Sequence, residues 1–226
     1  MFKIKTKNYK IFKKATKLSS IIFLVTFVVF VILEPVVINA VADSATATAT
    51  VTSEVTISSP SNATFSASIP GVSGNPGSPA TATLAWTVIT NNSGGFDLTL
   101  QASQTNALYK DGSYYFTDYG TPPNPTFGWT APSVGTATFG FTIAAATAAD
   151  TATAFKDGGA ACGAGDNTGG CWAGFNGTTP ITVVHRTSST DASGQAEVVN
   201  FRAESNAKFL ESGNYTATIT ATTSLN

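Results

Sequence analysis

Apolar and polar residues alternate with a period of two along nearly the whole chain beyond residue 43. Ala45, Ala47, Ala49 and Val51 alternate with Ser44, Thr46, Thr48 and Thr50, and Val55 and Ile57 carry the apolar phase onward. Successive side chains of a strand point to opposite faces, so this spacing predicts a strand with one apolar side. Phe65, Ala67 and Ile69 repeat the pattern after a turn at Pro60 and Asn62. Leu84, Trp86 and Val88 share one face of a stronger strand. Phe96, Leu98 and Leu100 follow across Asn91-Asn92-Ser93-Gly94-Gly95, a spacing that predicts a hairpin.

Lys110-Asp111-Gly112-Ser113 is a second hairpin signal, because Asp-Gly tolerates the positive φ of tight β turns. Ala137, Phe139, Phe141 and Ile143 fall on one face within residues 135–145. Residues 181–186, 197–203 and 215–222 supply the last three strands. Only residues 144–155 leave a helical turn open, and no window carries a 3.6-residue period. Many short strands separated by turn signals predict an all-β chain: a single Greek-key or immunoglobulin-like β-sandwich of about 8–10 antiparallel strands. Trp86 and Tyr215 are expected in its core.

The first 42 residues break the pattern. Residues 1–17 hold seven lysines and no acid, residues 18–33 are apolar apart from Ser19, Ser20 and Thr26, and Ala40 and Ala42 are small residues two apart. Basic start, apolar middle and small pair form a secretory signal, which places a cut before Asp43. An uncleaved membrane anchor is the alternative for this segment, although the apolar run is short of the ~20 residues of a spanning helix. The domain organisation that follows is a signal peptide over residues 1–42 and a β-sandwich over residues 43–226.

Removing the signal changes the charge. Seven of the 12 basic residues and one of the 13 acidic residues precede Asp43, which leaves a mature charge of about −7. That sign argues against nucleic acid as a partner, and leaves a membrane only through the N-terminal segment if it is retained.

The two cysteines, Cys162 and Cys171, lie in the exported part with eight residues between them. Export and an even count predict a disulfide stapling a long loop at residues 146–180. Asp157, Asp166 and Asn167 near this loop are weak candidates for a calcium site, because they lack the spaced acids of a dedicated calcium loop. No cofactor is expected.

The residues Leu210-Glu211-Ser212-Gly213-Asn214-Tyr215 resemble the corner entering a late strand of immunoglobulin-like domains, where a tyrosine hydroxyl bonds back to the backbone. Leu84-Ala85-Trp86-Thr87-Val88, with residues 96–100 after it, is similar to the Trp-containing hairpin of WxL-type bacterial surface proteins. The second Trp-x-Leu is replaced by Thr220-Ala221-Thr222. The resemblance therefore implies a surface location and a β-sandwich, and carries over no functional residue.

Catalytic chemistry finds little support. His185, the single histidine, sits inside an alternating strand pattern, and Gly-x-Ser-x-Gly does not occur. Asp157 with Asp166, and Glu204 with Glu211, read as solvated loop acids and not as the paired carboxylates of a glycosidase. One segment carries more rings than a strand pair requires: Tyr109, Tyr114, Tyr115, Phe116, Tyr119, Phe127 and Trp129, interleaved with Pro122, Pro123 and Pro125. Exposed rings can stack on sugars or anchor a protein, which makes Tyr109, Tyr114, Tyr115, Tyr119 and Trp129 candidates for ligand or partner contact. The competing reading is a covering loop pinned by its own rings.

These features predict no enzyme. The expected function is a non-catalytic, exported structural or adhesive protein of the cell surface, a subunit of a layer or fibre. The alternative is a carbohydrate-binding module using residues 109–129. Surface proteins or glycans are the expected partners, with self-assembly through a strand at residues 44–57.

Overall fold

A computed structural model describes residues 43–120, 126–157, 160–161 and 171–226. The expected signal segment and Cys162 lie outside the described residues. Two compact units separate at Val51. In the first, the described residues 43–50 are exposed and carry no regular structure. The second, Val51–Asn226, is all-β with two short 3-10 turns.

Its longer strands are β1 (Val55–Ile57), β2 (Ala80–Thr90), β3 (Phe96–Ala102), β6 (Thr136–Ala144), β10 (Ile181–Arg186), β11 (Gln195–Asn206) and β12 (Ile219–Leu225). Five two-residue strands complete the described set: β4 (Thr117–Asp118), β5 (Thr126–Phe127), β7 (Lys156–Asp157), β8 (Ala160–Ala161) and β9 (Cys171–Trp172). The larger sheet runs β1-β2-β11-β6-β4, and the smaller runs β10-β3-β12. Every pairing is antiparallel except β4 with β6.

Alternation explains the core. On β6, Ala137, Phe139, Phe141 and Ile143 are all buried, as the sequence pattern requires. They meet Trp86 and Val88 of β2, Val199, Phe201 and Ala203 of β11, and Phe96, Leu98 and Leu100 of β3 in one cluster shared by both sheets. Phe139 stacks on Phe201 and Phe141 on Phe175, with ring centroids 5.9 and 4.4 Å apart.

Three expectations need correction. The segment Asn91–Gly95 does turn the chain, but β2 and β3 are not a hairpin, because β3 pairs with β10 and β12 in the other sheet. A hairpin would place both apolar faces on one layer, whereas here β2 and β3 lie in different sheets and enclose a common core. Gly95 at φ 84° makes the crossing, and the Asn92 amide donates to the carbonyls of Gly95 and Asn226. Second, Phe65, Ala67 and Ile69 form no strand, although the Phe65 ring packs edge-on against Phe139. Third, the N-terminal alternation becomes a strand only at Val55–Ile57, since small alanine side chains bury too little area to stabilise a strand at residues 45–51. The open helical turn resolves into 3-10 turns at Ala148–Asp150 and Thr153–Phe155.

Trp86 is buried at 6 % exposure, whereas Tyr215 is half-buried at the margin of the core. Truncating a buried indole removes both transfer energy and packing. Trp86→Ala should lower the unfolding free energy by about 3–5 kcal/mol in urea titration, and an unchanged midpoint would mean that the indole is not a core residue.

Candidate functional site: an aromatic strap and its exposed rim

Within residues 107–129, of which 121–125 lie outside the described residues, the structure divides the described rings into two groups. The first part of this segment is a tight turn. Lys110 N–H donates to the Tyr114 carbonyl, and the Asp111 carboxylate accepts from the N–H groups of Ser113 and Tyr114. Tyr109 pairs across this turn with Tyr115 and, on its other side, with Thr216.

The inner group is a packed lock. Tyr119 and Trp129 stack at 4.3 Å with a 13° interplanar angle, and Trp129 meets Trp172 edge-on at 5.3 Å. All three rings are buried. They cover the face of β11 that points away from the main core, where Arg202 and Glu204 lie two residues apart. The Arg202 guanidinium sits 4.7 Å from the Trp129 ring centre and 5.8 Å from that of Trp172. Trp129 Nε1 donates to Glu204 Oε2 at 2.7 Å, Gly77 N–H donates to Glu204 Oε1 at 2.7 Å, and an Arg202 nitrogen lies 3.4 Å from Oε2. Burial of a charge is tolerated only with such partners.

Gly140, opposite Arg202 on β6, makes room for the strap. A Cβ there would lie 2.7 Å from Tyr119 Cβ and 2.8 Å from the Ala173 carbonyl oxygen. The Tyr119 hydroxyl closes the lock, donating to the Gly128 carbonyl and accepting from Thr130 N–H.

The expectation that Glu204 is a solvated loop acid is therefore overturned: it is fully buried on β11. Its presumed companion Glu211 is exposed and pairs with Lys110 at 3.0 Å. The signal available in sequence was the pair Arg202 and Glu204 at strand spacing, on the face opposite Val199, Phe201 and Ala203. Trp172 and Phe209 also went unnoticed, because neither sits in an alternating run.

The outer group faces solvent. Tyr109, Tyr114 and Tyr115 are half-buried, and Phe209 is 64 % exposed with its ring 6.2 Å from that of Tyr114. Lys208 Nζ lies 4.3 Å from the Tyr115 ring centre and donates to the Tyr115 carbonyl at 2.7 Å, and Lys110 Nζ lies 5.9 Å from the Tyr114 ring. Burial holds the Lys208 ammonium below its usual pKa. Of the five ring candidates, Tyr119 and Trp129 are thus spent on packing, while Tyr109, Tyr114 and Tyr115 reach the surface.

The remaining candidates are dispersed. Cys171 is buried on β9, and its expected partner Cys162 lies outside the described residues. Asp166 and Asn167 lie outside them too, and of Asp157 only the backbone, in β7, is described. Among the described residues no three acidic, cysteine or histidine side chains gather as metal ligands. His185 is a half-exposed strand residue, as its sequence setting predicts, and its Nδ1 lies 2.6 Å from Asp97 Oδ1 across β10 and β3. A shallow open cleft beside them is lined by Thr151, Thr153, Lys156 and Thr182. No known protein family, curated protein or solved structure matches this chain.

Within the strap, the Asp118 carboxylate accepts from the N–H groups of Asn106 and Ala107 at 2.9 and 3.1 Å. Desolvation outweighs those bonds and pushes its pKa up to about 6. Glu197, buried on the core side of β11 and bonded by Ala146 N–H, is raised in the same direction by desolvation. A carboxyl whose folded pKa exceeds its unfolded value favours folding when protonated. Its contribution is complete below the unfolded pKa and is lost as pH rises through the folded one. The melting temperature should therefore rise as pH falls from 7.5 through about 6 toward 4.5. Asp118→Asn should flatten that rise. A wild-type melting temperature that falls steadily over the same interval would contradict this assignment.

Proposed function

We propose that this chain is an exported, non-catalytic protein of the cell surface with a structural or adhesive role, carried on an immunoglobulin-like β-sandwich. The fold reading draws support from the two sheets around one core and from the late corner. There the Tyr215 hydroxyl donates to the Glu211 carbonyl at 3.0 Å, and its ring meets Phe116 edge-on. The export reading draws on the basic, apolar and small-residue order of residues 1–42.

The observation that carries an adhesive role is the rim of Tyr114, Tyr115 and Phe209 flanked by Lys110 and Lys208. Tyr114 and Tyr115, held by a tight turn, lose little freedom on contact. The same rim favours a second reading, carbohydrate binding, because tyrosine faces stack on sugar rings.

Cell fractionation with N-terminal sequencing tests the first reading. The surface fraction should hold a chain that begins at Asp43, with Cys162 and Cys171 linked in non-reducing peptide maps. Recovery of the chain from the cytosol with Met1 intact would overturn it. Tyr114→Ser with Phe209→Ser should weaken adhesion of chain-coated beads to cells. If the same double variant instead abolishes binding on a glycan array, the second reading replaces the first.

A further inference from the structure

The four outer edges of the two sheets are finished differently. Beyond β6, the larger sheet is closed by β4 and by Ala173, which exchanges backbone bonds with Phe141 at 2.8 and 2.9 Å. Its other edge, β1, is only three residues long. On the smaller sheet, the β10 edge is covered by the segment after the first 3-10 turn: Ala152 N–H donates to the Val183 carbonyl, and Thr151 bridges Val184. The β12 edge is seven residues long, and among the described residues no backbone bond reaches its outer side.

The direction of the β12 backbone follows from its ladder. Asn226 N–H donates to Gly95 and Ser103 N–H donates to Thr218. Antiparallel partners exchange bonds at every second residue, so the even-numbered residues of β12 face β3. Ile219, Ala221, Thr223 and Leu225 direct their N–H and C=O groups outward.

Burial marks the same side. Ile181, Val183 and Val184, toward the β10 edge, are at most 3 % exposed. By contrast Val55, Ile57, Ala217, Ile219 and Ala221 are only partly buried, and Leu225 is 41 % exposed. β1 lies close to β12 on this flank, yet no backbone bond joins the two.

The chain also carries a segment suited to that place. Residues 44–50 are exposed and unpaired with any strand, and Val51 is 83 % exposed. Ala45, Ala47, Ala49 and Val51 keep the phase of the inward-facing Val55 and Ile57. A strand of residues 44–51 matches β12 in length and would set small methyls over a shallow apolar strip.

We infer that residues 44–51 of one copy of this chain add as a strand to the outer edge of β12 in the next copy, making a head-to-tail assembly. Backbone bonds supply the affinity, and the alternation of methyl and hydroxyl supplies the register. Donor and acceptor surfaces differ, so the contact is heterologous and propagates as a fibre unless it closes into a ring. The inference rests on the proposed role as an exported structural protein. A surface chain that stays monomeric would sink this inference alone, whereas a cytosolic chain would sink that role.

Two defective chains test it. Deleting residues 44–50 within the full chain removes the donor and leaves the edge. Ala221→Pro removes an outward N–H, leaves the β3 ladder intact, and spares the donor. Exported wild-type chain should form concentration-dependent multimers in analytical ultracentrifugation, and each variant alone should sediment as a monomer with a cooperative melt. Mixed, the two variants should form a 1:1 dimer and nothing larger, since only one productive contact remains. That dimer also shows that both variants are folded. Multimers formed by either variant alone, or a mixture that stays monomeric while both melt cooperatively, would overturn the inference.

Discussion

A core enclosed between two sheets must be closed along both flanks, and here the sheets are unequal. Five strands stand against three, so the smaller sheet cannot cover the larger without help from other segments. The long connection between β6 and β10 meets that need on one flank, where the 3-10 turns lay Thr151 and Ala152 along β10. Along β12 the chain sets the short strand β1, which lies close to it without a backbone bond between them. Ile219 and Ala221 are half-buried on this flank. In the smaller sheet β3 lies between two partners, with Phe96, Leu98 and Leu100 wholly buried.

A second demand comes from β11. It is the central strand of the larger sheet and is buried on both faces near Arg202 and Glu204. Once Arg202 and Glu204 point away from the main core, a cover with its own donors is required, because an unpaired buried carboxylate would cost several kcal/mol. Trp129 satisfies this with one atom, Nε1, and adds a ring for the guanidinium. Packing the strap so closely then demands Gly140. Asp118 and Tyr119 anchor the strap to β6, and the tyrosine turn at 109–115 is left projecting at its rim. The surface patch is in this sense a by-product of how a buried charge pair is covered.

Where one face is apolar and the other polar, the sequence alone was legible. The β6 face and the burial of Trp86 follow from alternation, and the Asp111-Gly112 turn from its φ preference, whereas on β10 a bulge buries both Val183 and Val184 and breaks the pattern. The β2–β3 crossing was not legible, since a turn that reverses the chain within a sheet and one that carries it across the core share the same Asn-Gly composition. The buried Glu204 was hidden for a related reason. Its partners Gly77 and Trp129 lie 127 and 75 residues away, beyond any local pattern. The N-terminal alternation predicted a strand from residue 44, but a strand forms only at Val55–Ile57, because a row of alanine methyls buries too little area to stabilise one.

The account stands on the difference between the two flanks of the small sheet, and residue-resolved amide hydrogen exchange measures that difference directly. In monomeric chain lacking residues 44–50, the amides of Ala221, Thr223 and Leu225 should exchange fast. Those of Thr220, Thr222 and Ser224, bonded to β3, should be slow, as should the covered amides of β10. In the assembled wild-type chain the three fast amides should become protected. Uniformly slow exchange along β12 in the monomer would contradict the account, because it would mean that this edge is already closed.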